Sequence, residues 1–171
     1  SNWDEKFWKI NSLSTLNQSA FLEAETYKTK FKICSYMNND FFIDEKKQNL
    51  AYKEIKDDCK IAHHYDFNIQ KKSTLKIIKI GGYISKIRNT KKTVEIAKKK
   101  ISISSKLGFE GLLRLQMNAW SKIWDISDIK IDGDKRAQQA IRFNIFQLNQ
   151  TYTGKHADLN IGPKGFTGEK Y

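Results

Sequence analysis

The feature that most restricts what this chain can fold into is a run of apolar residues at helical spacing near its C-terminal end. Ala137, Ile141, Ile145, Leu148 and Tyr152 recur every three or four positions, and Ala140, Phe143 and Phe146 widen the stripe until little of the circumference is polar. A helix this apolar must be covered on more than one side, and little sequence follows it to supply the cover. Its boundaries are marked. Asp132-Gly133 is a turn dipeptide after a short strand-like run at 125–131, and Asp134 is placed to accept hydrogen bonds from the free N–H groups of the first turn. Gly154 fits the stop. Beyond it, Gly162-Pro163-Lys164-Gly165-Phe166-Thr167-Gly168 holds three glycines and the single proline of the chain, which predicts a loop of constrained backbone.

Upstream the pattern changes from helical to extended. Trp3, Phe7 and Trp8 form an aromatic cluster expected to anchor the N-terminus against a core, and 11–19 reads as loop. Leu22, Ala24 and Thr26 alternate with Glu23 and Glu25, and Phe31, Ile33, Ser35 and Met37 alternate with Lys32, Cys34 and Tyr36. Asn38-Asn39-Asp40 predicts a turn before Phe41-Phe42-Ile43; 44–49 reads as a polar turn and 50–55 as a short strand. The clearest strand is 60–70, where Ile61, His63, Tyr65, Phe67 and Ile69 share one face. A strand at 74–84 is expected to pair with it as a hairpin, with Gly81-Gly82 as a bulge or bend. Helices follow. Asn89 or Thr90 is a cap for one that carries Val94, Ala97 and Ile101; 102–106 reads as a polar break. A second helix carries Phe109, Leu113, Met117, Trp120 and Trp124, its tryptophans expected between the sheet and the final helix. Strands joined by short turns and then helices define an α+β chain: an antiparallel sheet with helices packed beside it.

Charge and composition exclude several classes. Lys and Arg number 31 against 19 acidic residues, a net charge of +12. A nucleic-acid surface gathers its cations on one face among stacking aromatics, whereas these lysines are spread along the chain, so they read as solvated faces. No apolar run is long enough to span a membrane, and the first residues lack the basic and apolar regions of a signal peptide. Cys34 and Cys59 lack metal-ligand spacing and read as buried free thiols of a cytoplasmic protein. His63 and His64 fall on opposite sides of a strand and cannot converge on zinc, so His63 is expected to be a hydrogen-bonded core residue.

No catalytic constellation stands out. The loop from Gly162 lacks the Gly-Lys-Ser/Thr of a phosphate-binding P-loop. Asp158 and Glu169 are two carboxylates of one loop whose separation sequence does not fix, and no G-x-S-x-G elbow occurs.

The words IRFNIFQLNQTY and LNIGPKGFTGEKY, with NWDEKFWKI at the start and AW-SKIWDISDIKIDGD before the last helix, closely resemble the disaccharide phosphorylases of glycoside hydrolase family 65. The resemblance covers the whole chain, strongly after residue 117 and loosely between 11 and 105. It implies the end of an N-terminal β-sandwich of galactose mutarotase-like supersandwich type at 1–86, a helical linker at 87–133, and the opening helix of an (α/α)6 barrel at 134–171. It also implies that the chain is a piece of a longer protein, whose relatives continue past Tyr171 to a Trp-Asp-Thr-Glu sugar-binding motif and, further on, a catalytic Glu.

The activity implied for the intact protein is inverting phosphorolysis of maltose or a close α-glucoside to glucose and β-glucose 1-phosphate. The co-substrate would be inorganic phosphate, with no cofactor or metal. On this resemblance the chain itself carries no catalytic residue and would be inactive. Lys164, Phe166, Glu169 and Lys170 are its candidate substrate contacts, with bracing of the barrel wall as their other role. The partners expected are a disaccharide, a second subunit in the intact protein, and self-association of this chain around Phe143, Phe146 and Tyr152. Two other classes are weighed: a carbohydrate-binding module, for which Trp3 and Tyr36 are the available exposed aromatics, and a basic nucleic-acid-binding domain.

Overall fold

A computed structural model describes residues 7–85, 92–152, 154 and 162. It divides into two compact units, Ser1–Leu112 and Leu113–Tyr171.

The first unit is built on a five-stranded antiparallel sheet. Strands β1 (Trp8–Leu16), β2 (Ser19–Thr26), β3 (Lys32–Ile43) and β4 (Lys46–Gln48) follow one another, and β7 (Leu75–Ser85) returns to pair with β3. Between them β5 (Lys53–Asp57) and β6 (Lys60–His64) form a separate two-stranded sheet. The β3–β7 ladder runs without a register shift from Ile33 opposite Ser85 to Ile43 opposite Leu75. Alternation along it therefore sorts β3 into two faces. Cys34 and Tyr36 turn to one face, where Phe21, Ile80 and Ile84 join Val94, Ala97 and Ile101 from helix α1 (Thr93–Ser127) to make the core. Phe21 is 1% exposed. Thr93, fully buried at the start of α1, donates to the carboxylate of Glu23 and ties the helix to β2. Phe41 turns to the other face, its ring centroid 4.5 Å from that of Tyr65 and 5.9 Å from that of Phe67, on the chain that follows β6.

The molecule is thus α+β, antiparallel sheets followed by helices, as the periodicity requires. Several local expectations are overturned. The 11–19 segment is not loop but most of β1 and the start of β2, joined through Asn17 at φ 51°. Asn38, Asn39 and Asp40 do not turn; they are buried in mid-strand, where Ser19 Oγ donates to Asn38 Oδ1 at 2.8 Å and Lys47 meets Asp40 at 2.8 Å. Satisfied polar side chains and an unbroken ladder override their turn propensity. The real turn is Asp44-Glu45, both at positive φ, with β4 inside the segment expected to be all turn. The strand expected at 50–55 is displaced to Lys53–Asp57. The 60–70 strand is hydrogen-bonded only to His64, although Tyr65 and Phe67 remain half-buried and Asp66 and Asn68 exposed. Nor do 60–70 and 74–84 form a hairpin: β6 pairs with β5, and β7 with β3.

Gly81-Gly82 makes no bulge. Gly82 lies directly opposite Tyr36, and a Cβ there would come within 2.6 Å of the phenol oxygen, so glycine lets the ring lie over the neighbouring strand. The helix passes through 102–106 and departs from helical dihedrals instead at Gly108, φ 65° and ψ −174°. Asn89 and Thr90 lie outside the described residues, as does Trp3. Cys34 is buried, and burial first, then the charge of Glu23, pushes its thiol up to about 11. Cys59, expected to be buried, is exposed at the β5–β6 turn. Both thiols are free. Among the described residues no helix is long and apolar enough to cross a membrane.

In the second unit α1 continues from Leu113 to Ser127, and α2 spans Lys135–Thr151. The strand expected at 125–131 is absent. Helix occupies its first part, and 128–131 is irregular chain whose backbone is satisfied by a side chain: Ile131 N–H donates to Gln138 Oε1 at 2.8 Å and Gln138 Nε2 donates to Ile129 O at 2.7 Å.

Candidate functional site

The sequence places the functional interest at the final helix and the loop beyond it. Asp134 caps α2 as its position predicts, Oδ1 accepting from Arg136 N at 2.9 Å and Ala137 N at 3.0 Å. The helix stops at the Tyr152 cap, and Gly154 follows at φ 68°. Beside the capped end lies a groove of about 930 Å3, lined by apolar side chains including Trp124, Ile131, Phe143 and Phe146 and by polar ones including Asp132 and Asp134.

Two interactions hold the groove's walls. Trp120 lies 4.9 Å from Phe146, centroid to centroid, and 5.8 Å from Trp124, so the tryptophan stripe does pack on the final helix. Arg142 reaches back to Asp128 in a two-pronged contact, Nε to Oδ1 at 2.8 Å and Nη2 to Oδ2 at 2.7 Å. Hydrogen bonding from Arg142 holds the Asp128 carboxyl below the usual carboxylate range, and the same bond raises the guanidinium. Sequence reasoning passed over both Gln138 and Arg142. The signal available for Arg142 was a cation set inside the apolar stripe of the helix, beyond the Lys135-Arg136 pair of its first turn.

Two carboxylates at and beside the groove are already engaged. The Asp134 carboxylate is committed to the helix cap and that of Asp128 to Arg142, so neither is poised as an acid or base. One side of α2 is buried at Ile145, while Phe143 and Leu148 stand 58% and 71% exposed. Lys164, Phe166, Glu169 and Lys170, with Asp158, lie outside the described residues. Tyr36 is no exposed platform, since it packs against the core of the first unit over Gly82. That unit has its own groove of about 750 Å3, whose lining includes Asn38, Asp40, Gln48, Lys98, Ser102 and Lys106. Among the described residues no group of three or more His, Cys, Asp or Glu is placed to hold a metal ion.

An antiparallel sheet braced by a helix, followed by a capped apolar helix with one face open, describes a sheet domain leading into a helical one. Two family profiles match the chain. A profile described as Glycosyl hydrolase family 65, N-terminal domain, matches residues 1–123, and one described as Glycosyl hydrolase family 65 central catalytic domain matches 142–171. The chain belongs to glycosyl hydrolase family 65.

Among its relatives is the maltose phosphorylase of Bacillus subtilis (strain 168), 32% identical over 179 residues that take in 100% of this chain and 22% of that protein. The alpha,alpha-trehalose phosphorylase of Thermoanaerobacter brockii is 30% identical over 172 residues, again 100% of this chain and 22% of its own length. A kojibiose phosphorylase of Caldanaerobacter subterraneus subsp. tengcongensis is 41% identical over 64 residues, 37% of this chain and 8% of that protein. The chain therefore spans about a fifth of the length of the curated relatives it matches end to end.

Proposed function

We propose that the chain is the part of an inverting α-glucoside phosphorylase that joins its N-terminal sheet domain to its catalytic domain, and that maltose is the substrate of the intact protein. The observation that carries this reading is the 32% identity to a maltose phosphorylase along the whole of the chain. Inverting phosphorolysis asks little of the enzyme's own bases. A carboxylic acid protonates the glycosidic oxygen, and phosphate, already anionic, attacks the anomeric carbon from the opposite face to give β-glucose 1-phosphate. On this reading no residue of the chain is catalytic. Lys164, Phe166, Glu169 and Lys170 line the approach to the sugar, and the exposed Phe143, with the half-buried Phe146 and Tyr152, supports self-association when the chain is alone.

The test is an assay of phosphate-dependent glucose release from maltose, trehalose and kojibiose. It compares this chain with a protein extended through the coding sequence downstream of residue 171. The extended protein should act on maltose in preference to the others, and the 171-residue chain on none. Turnover by the short chain, or cleavage by the extended one without phosphate, would refute the proposal. The downstream sequence is itself a check: Trp-Asp-Thr-Glu should appear within about a dozen codons, an ordinary loop length.

A further inference from the structure

The small sheet is attached to the β1–β2 turn through aromatic and amide side chains centred on His63. The His63 ring stacks on Tyr52 at 3.9 Å and an interplanar angle of 24°. Tyr52 Oη donates to Asn17 O at 2.6 Å, and Tyr65 Oη donates to Gln18 Oε1 at 2.8 Å. The Gln18 amide is oriented by its Nε2, which donates to Leu50 O at 2.8 Å. Tyr65 thus gives its one proton to Gln18, so the 3.2 Å contact between His63 Nδ1 and Tyr65 Oη has the imidazole as donor. This fixes the neutral tautomer with its proton on Nδ1. The lone pair is then on Nε2, which is buried and without a partner among the described residues.

An orphaned ring nitrogen costs one missing hydrogen bond, but a protonated one would be a buried cationic N–H with no acceptor. The surroundings divide. Glu54, directly across the strand pair, favours the cation, though its carboxylate also accepts from Thr15 Oγ1 at 2.7 Å. Lys79 of β7 lines the same groove and opposes it, Tyr52 and Tyr65 are neutral, and His64 points to the other side with Asp66 at 3.1 Å. Burial outweighs Glu54 and lowers the His63 pKa below 6.5.

We propose that His63 is an acid-sensitive latch: protonation at Nε2 puts a cationic N–H with no acceptor into the seam and frees the β5–β6 hairpin from the β1–β2 turn. Because the folded-state pKa is depressed, the latch contributes its full stability above the unfolded value near 6.5 and loses it as pH falls toward the folded value.

The test is NMR on the full chain between pH 8 and 5. The His63 side-chain nitrogens should report the Nδ1–H tautomer at neutral pH, with a pKa below 6.5. Amide exchange in β5 and β6, corrected for intrinsic rates, should show opening that rises by up to about tenfold per pH unit below 6.5, and H63F should flatten that dependence. An Nε2–H tautomer or a pKa at or above 6.5 in the unaltered protein would overturn the proposal whether or not H63F folds. So would the same pH dependence in H63F.

Discussion

The two units bury their apolar residues in different ways. In the first, a sheet face is closed by a helix, and Phe21, Cys34, Ala97 and Ile101 are shut away on every side. In the second, the apolar stripe of α2 is covered on one flank among the described residues: Ile145 is buried and Phe146 lies on Trp120, while Phe143 and Leu148 meet solvent. Both obey the rule that apolar surface seeks cover, and in one of them the cover supplied by the described residues is incomplete. The first unit is organised as a core and the second as half of one. An isolated chain should accordingly be far more sensitive to substitution in the first.

Four substitutions, with Tyr36→Leu as partner in a double-mutant cycle, probe that contrast. Phe21→Ala should be the most damaging, costing about 3–5 kcal/mol through lost burial and a residual cavity, read by chemical denaturation. A loss under about 1 kcal/mol would mean the sheet core is looser than its burial implies. Gly82→Ala should cost about 1–3 kcal/mol, because the new methyl meets the Tyr36 ring. In a double-mutant cycle with Tyr36→Leu most of that cost should vanish, and simple additivity would locate the strain elsewhere. Asp134→Ala removes the cap of α2 and should cost about 1 kcal/mol, with loss of helical circular dichroism from the second unit. Leu148→Ser, on the open face, should change monomer stability by no more than about 0.5 kcal/mol. A larger loss that depends on protein concentration would show that the open flank is already covered by a second copy.

How much of this was legible in the sequence follows the same division. Local rules worked where one element answers to its own periodicity. The cap at Asp134, the stop before Gly154 and the core-facing stripe of Val94, Ala97 and Ile101 are all where spacing puts them. They failed where a residue answers to a distant partner. Asn38-Asn39-Asp40 has the composition of a turn, and only Ser19, Lys47 and the β7 ladder, none of them local, keep it extended. The 60–70 alternation correctly sorted His63 from His64 but not which strand each neighbour would join, since the chain after β6 leaves one sheet and β7 enters another. The double glycine was given the commoner meaning of a bend; its actual use depends on a tyrosine placed opposite by register. The Gly162 loop was singled out for recognisable words, and those candidate contacts lie beyond what the structure describes.

The unequal cysteines have a practical consequence. The Cys34 thiol, enclosed in the sheet core and titrating at about 11, is kept out of reach of thiol reagents, while Cys59 sits in the open at the tip of the β5–β6 turn. A single maleimide dye therefore attaches at one place in the unaltered sequence, on the very segment whose movement would be worth watching. The protein carries its own attachment point for a fluorescent reporter, without an engineered residue.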